Sequence, residues 1–313
     1  MTPDNLERIR KTPYNNSHSW AYNTYNRYDN FLERMDMSAK TVHQYANDCL
    51  TKFAQANEDD LAYLYYQTHN DKKITVGAIH SRFKDFVKWT LLNKLLAVNC
   101  YFENYLYSIL KLSFESFPKL IDASYPENGI MWVKNGLPNN IRLDTINKKT
   151  TKLINKCVIG NWQERMANII SILRVSDVSL INSFNSYIVD LDRFREIRVK
   201  VGHFFGRDEN LVHDWYNTEI PDLSTLTVDS FLDWQKNAIN KFVKELDGYV
   251  MKEFVGSFQE LYFYHNHKYE IEKYVDRHQQ IEKFKTLLLK ENKGPGAYNK
   301  PYLNNIIEYY TRI

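Results

Sequence analysis

Arg198 and His203 stand with four residues between them in REIRVKVGHF, the stretch from Arg195 to Phe204. An arginine neutralises a phosphoryl group through paired N–H donors, and a histidine moves protons near neutral pH. Together they suit cleavage of an RNA phosphodiester. The histidine would move protons to or from the 2′-hydroxyl and the leaving oxygen, while the arginine neutralises the charge on the phosphoryl group. No metal is required for that chemistry. The spacing by itself carries little, because the chain has 9 histidines and the pattern recurs as Arg207 and His213 in GRDENLVH. A cation closing the C-terminal end of a helix is the structural alternative for His203.

The element that must hold this pair reads as a helix. Leu191, Phe194, Ile197 and Val201 fall on one face at about 100° per residue, and Arg198 lies at the edge of that face. His203 is roughly 140° further round, so one straight helix cannot aim both side chains at a single small target. A two-fold dimer, in which two such helices meet and each supplies an arginine and a histidine to one cleft, resolves the conflict. Gly202 would permit the close approach.

Around this helix the pattern is helical throughout. MSAKTVHQYANDCLTKFAQA reads as a helix capped by Ser38, and NDKKITV breaks it. From Ser81 to about Phe117 the apolar positions recur at three and four and stop at Pro118. Residues 118 to 140 read as an irregular excursion with a short hairpin at the Asn135-Gly136 pair. Helical periodicity resumes in TKLINKCVIGNWQERMANIISIL, then in SDVSLINSFNSYIVDLDRFREIRVKVGHFF behind a Ser176 or Asp177 cap, then in VDSFLDWQKNAINKFVKELDGYVMKEF. The tail reads as two helices joined across KENKGPGAYNKP. The expected architecture is all-α, divided into an extension over 1–78, a central domain over 79–256 and an appendage over 257–313.

The order of these elements and the Arg198-Val-Lys-Val-Gly-His203 motif resemble the HEPN family of all-α ribonucleases and nucleotide-binding domains. That family's signature is an arginine and a histidine separated by about four to six residues. The resemblance covers about residues 80 to 255. CYFENYLYSI is similar to the family's first core helix, with Phe102, Glu103, Tyr105 and Leu106 in its characteristic places. What the resemblance implies is an RNA-cleaving homodimer with Arg198 and His203 catalytic and Glu103 supporting Arg198. A toxin or an effector of anti-phage defence is the implied setting. Two positions depart from the pattern: Val199 stands where Asn, Asp or His is usual, and Gly202 precedes the histidine. Val199 and the near-neutral net charge favour the alternative, a catalytically inert HEPN-like module that binds RNA or protein.

Composition narrows the field. With 41 basic and 38 acidic side chains the net charge is +3, so any polyanion site must be a local patch. Lys72 and Lys73, then Lys148, Lys149 and Lys152, then Lys283, Lys285 and Lys290 form small basic clusters that could guide RNA phosphates or simply face solvent. The 23 tyrosines suit base stacking as well as core and interface packing. His265, His267 and His278 with nearby glutamates are conceivable metal ligands, but His-x-His suits a strand better than the helical pattern around it, and no metal or cofactor is expected. Cys49, Cys100 and Cys157 form no Cys-x-x-Cys pair, so the expectation is a reduced, cytoplasmic protein. Neither an export signal nor a membrane span is visible. A regulatory protein partner for the flanks is a further expectation.

Overall fold

The computed structural model describes residues 18–52, 57, 59–61, 73–204, 234–291 and 298–313. The chain is all-α. Among the described residues there is no strand, and one isolated antiparallel bridge joins Leu61 to Thr75. The helices are α1 (Trp20–Lys52), α2 (Val76–Ser116), α3 (Ile130–Asn135), α4 (Leu143–Val158), α5 (Trp162–Ile172), α6 (Val178–Ser186), α7 (Ile188–Phe204), α8 (Asn240–Val250), α9 (Phe258–Ile271), α10 (Arg277–Lys290) and α11 (Lys300–Arg312). Two compact units interleave along the sequence: one of residues 1–26, 102–192 and 236–313, the other of 27–101 and 193–235. Their boundaries fall inside α1, α2 and α7.

The first unit is built on the C-terminal part of α2, where Phe102, Tyr105, Leu106, Ile109, Leu110 and Phe114 are buried on one side at spacings of three and four. Phe242 of α8 sits among four other rings, with centroids 6.2 Å from Phe102, 5.8 Å from Trp162, 5.3 Å from Phe184 and 6.3 Å from Tyr187, all edge-on. Fully burying an aromatic of this size contributes on the order of 1.5–3 kcal/mol, and edge-to-face pairs add to it. Helices α9, α10 and α11 pack on one another, with α3 against α9. The buried carboxylate of Asp247 in α8 anchors the start of α1: it accepts from the Ser19 backbone N–H at 3.1 Å and from the Ser19 hydroxyl, and His18 Nδ1 lies 3.2 Å away.

In the second unit, Lys94, which interrupts the apolar run of α2, is buried and paired with Asp36 of α1 at 3.2 Å. Burial pushes the Asp36 carboxyl up, but Lys40 and Lys94 outweigh that effect and hold it below its ordinary value. Asp29 accepts from the Tyr101 hydroxyl at 2.7 Å and from the Gln235 amide.

Several local expectations need correction. Ser38 caps nothing: α1 already runs from Trp20, and the Ser38 hydroxyl donates to the Arg34 carbonyl one turn back. The Asn135-Gly136 pair ends a helix instead of turning a hairpin. Gly136 has φ +77°, a backbone angle that residues with a side chain rarely adopt and that stops α3, and Gly129 before it fits against the end of α2 with its N–H 3.0 Å from the Ser116 carbonyl. The pattern over 151–173 is two helices, α5 being restarted by the Asn161 side chain, which accepts from the Glu164 N–H. Asp177 caps α6 as expected, but the chain breaks again at Tyr187 before α7. Among its described residues the tail holds three helices instead of two, because Asp276 starts α10 after the break that follows α9.

Candidate functional site

Helix α7 starts immediately after the Tyr187 break and turns Leu191 and Phe194 into buried positions. Three and four residues past Phe194, Ile197 and Arg198 are half-buried, as is Val199. Arg198 therefore sits at the margin of the buried face, where the periodicity places it. It makes no ion pair among the described residues. A guanidinium that is partly shielded from water and not engaged by a carboxylate keeps its donors for an incoming anion. The helical backbone continues through His203 to Phe204. The side chains of residues 200–204, and the second pair Arg207 and His213, lie outside the described residues.

Glu103 lies on α2, half-buried, and the structure gives it a partner that the sequence did not point to. Its carboxylate is 3.9 Å from the guanidinium of Arg165 on α5. Arg165 is itself buried, donates from Nε to the Gly160 carbonyl at 2.9 Å, and covers the Trp162 ring at 5.1 Å. Trp162 stacks in turn on Phe102, the neighbour of Glu103, with centroids 5.4 Å apart. Glu103 thus closes a loop of contacts around a buried arginine. Asp192, at the start of α7, accepts from the Trp162 N–H at 2.9 Å and fastens α7 to the same turn.

The histidines of the YHNHKYEIEKYVDRHQQ stretch each take a different partner. His265 Nδ1 lies 2.5 Å from the Tyr310 hydroxyl. His267 contacts the Phe263 carbonyl through Nδ1 and Glu291 through Nε2, both at 3.0 Å. His278 Nε2 is 3.2 Å from the Lys300 ammonium. On a helix, residues two apart point about 200° from each other, so His265 and His267 do not converge. Among the described residues no group of three or more His, Cys, Asp or Glu side chains could hold a metal ion. Burial moves the Cys157 thiol up to about 12, which makes it a poor nucleophile at neutral pH.

Among the described residues no helix is long and apolar enough to cross a membrane. No protein-family model matches the chain, and no curated protein or solved structure matches it either.

Proposed function

We propose that the protein is a metal-independent endoribonuclease of HEPN-like design, cutting RNA as a homodimer with Arg198 and His203 from both copies. The observation that carries this reading is Arg198: half-buried on α7, with no ion pair among the described residues, and followed five residues later by a histidine on the same helix. Arg198 neutralises the phosphoryl group and His203 handles the proton of the 2′-hydroxyl or the leaving oxygen. A toxin or anti-phage effector working in the cytoplasm is the setting the HEPN resemblance implies.

Association of two copies is supported by an apolar stripe on α1. Tyr28, Phe31, Met35, Val42 and Tyr45 are all exposed, between 48% and 72%, and recur at the a and d places of a seven-residue repeat, with Ser38 in the remaining place. Antiparallel contact about a two-fold axis between Asp36 and Met37 sets Tyr28 opposite Tyr45 of the second copy, Phe31 opposite Val42, and Met35 opposite Ser38. The stripe is therefore complementary to itself, as an isologous interface requires.

The test is incubation of purified wild-type and His203→Ala protein with total cellular RNA in EDTA, followed by analysis of fragment ends. The expected result is cleavage by the wild type alone, leaving 2′,3′-cyclic phosphates. Full activity in His203→Ala overturns the reading. A second reading, an inert RNA-binding or assembly module, is favoured by Val199 beside Arg198 and by the engagement of Glu103 with Arg165. Wild-type protein that binds RNA and leaves it intact establishes that one.

A further inference from the structure

Helix α4 carries two parallel rows at four-residue spacing. One row is Lys148, Lys152 and Lys156; beside it run Asn147, Thr151 and Asn155. Residues four apart lie about 6 Å apart along the axis and on nearly the same side, so each row is a line roughly 12 Å long. With Ile159, Glu164 and Asn168 from the turn and α5, these side chains line an open cavity of about 780 Å³. The walls are fastened to each other. The Asn168 amide donates both to the Lys156 carbonyl at 3.1 Å and to the Glu164 carbonyl at 2.8 Å, tying α5 to the end of α4.

The lysine row works against the stability of its own helix. Like charges four residues apart cost roughly 0.2–0.5 kcal/mol a pair, and the row contains two such pairs. All three lysines are exposed, and none forms an ion pair among the described residues. Neutralisation is available close by, since Lys149 donates to Asp122 at 2.8 Å. Along the groove Glu164 is the one acidic side chain, against three ammonium groups. In a chain whose charges otherwise nearly balance, this is a concentrated positive line.

We propose that the α4–α5 groove binds a single strand of RNA, with Lys148, Lys152 and Lys156 on successive phosphates and the row of Asn147, Thr151 and Asn155 on the ribose hydroxyls and base edges. The choice of RNA over DNA rests on the proposed ribonuclease function; the choice of a phosphodiester strand rests on the groove. A line of point charges in a groove open to solvent matches a polymer that passes through it. A single nucleotide would engage one lysine. It would also find the first turn of α5 already occupied, because Glu164 and the Asn161 cap take that position. Amides and hydroxyls beside the charges supply donors and acceptors for the 2′-hydroxyl, the group that separates RNA from DNA.

The experiment uses the full chain carrying His203→Ala, so that bound RNA is not consumed, and reads the fluorescence anisotropy of a fluorescein-labelled oligouridine over a range of salt in EDTA. Replacing Lys148, Lys152 and Lys156 together by glutamine keeps exposed helix-forming residues and removes two repulsive pairs, so circular dichroism should show an intact fold. The triple variant is expected to bind at least about tenfold more weakly at low salt. The slope of log affinity against log salt should fall by about 2, three phosphate contacts on a single strand at roughly 0.7 each. Equal affinity and slope in the two proteins overturn the groove and leave the ribonuclease untouched. Loss of binding in the triple variant, with a wild type that cuts nothing, keeps the groove and overturns the ribonuclease. Tighter binding to oligothymidine than to oligouridine, or no RNA binding by the His203→Ala protein, overturns the assignment to RNA.

Discussion

The Glu103 carboxylate faces the guanidinium of Arg165 at 3.9 Å, while Arg165 lies over Trp162 and Trp162 over Phe102. Glu103 and Arg165 are 62 positions apart in the sequence, and their pairing makes the glutamate a counter-ion within the first unit. Glu103→Gln should cost about 1 kcal/mol, a modest figure because the Glu103 side chain is 35% exposed. Thermal unfolding measures that loss, and RNA cleavage below the transition should match the wild type. A drop in kcat with an unchanged Tm would instead give Glu103 a role in positioning Arg198.

The close seating of Gly129 on α2 makes a sharper prediction. A Cβ at that position would come within 1.7 Å of the Glu115 carbonyl oxygen, which is backbone and cannot swing aside. Gly129→Ala should lower stability by about 2–3 kcal/mol, through displacement of the chain entering α3. Gly248, exposed in α8 with open space around the position of its missing Cβ, is the control. Gly248→Ala should raise stability by up to about 1 kcal/mol, because a glycine inside a helix wastes backbone entropy. Urea midpoints at constant m-value report both.

His265 links stability to pH. Burial pushes its imidazole below the ordinary value of 6.5, and the Lys268 ammonium pushes it the same way. The Tyr310 hydroxyl sits on Nδ1, and Lys134 and Lys268 both lie over the Tyr310 ring, which leaves Lys268 as the charge that adds to burial in disfavouring the protonated ring. The unfolded chain takes up a proton near pH 6.5 and the folded protein only further down. The stability contribution of neutral His265 is therefore full above 6.5 and is lost as pH falls through the window below it. Wild type should lose more stability than His265→Gln between about pH 7.5 and about pH 5.5. Parallel losses in the two proteins would remove His265 from the linkage.

What the sequence could tell followed from the range of the interactions involved. The long helix α2 was legible because its apolar residues keep one period over many turns, and its end was marked by Pro118. Arg198 at the edge of a buried face was legible for the same reason. The breaks at Gly160 and Tyr187 were not, because apolar residues on both sides continue the helical rhythm while tertiary packing sets a new axis. Asn135-Gly136 has the local chemistry of a hairpin and of a helix stop alike, and only the packing of α3 against α9 decides between them. Asp247 anchoring Ser19, and Arg165 answering Glu103, join residues far apart in the sequence with no local signature at either end. The lysine row was visible as Lys148, Lys149 and Lys152. Its meaning changed once Lys149 was found paired with Asp122 and Lys156 was found to continue the line.

The α1 stripe yields the prediction on which the shared cleft depends. Phe31 is 49% exposed and sits near the middle of the stripe, so it is open to a partner and its replacement by glutamate places a charge on that face. In an antiparallel pair each Phe31 would meet Val42 of the other copy, and two glutamates per interface would enter an apolar seam where unpaired charge is costly. Sedimentation or light scattering at micromolar concentration should give the wild type twice the chain mass of 37.3 kDa and Phe31→Glu the single mass, with equal helicity. If both copies supply the cleft, cleavage should fall with the dimer and recover only where concentration restores it. A wild type that stays monomeric would assign the stripe to a different occupant, and a Phe31→Glu protein that remains dimeric would place the two-fold axis elsewhere. A monomer that cleaves at the full rate would show that one copy brings Arg198 and His203 together unaided, against the angle of roughly 140° that a straight helix puts between them.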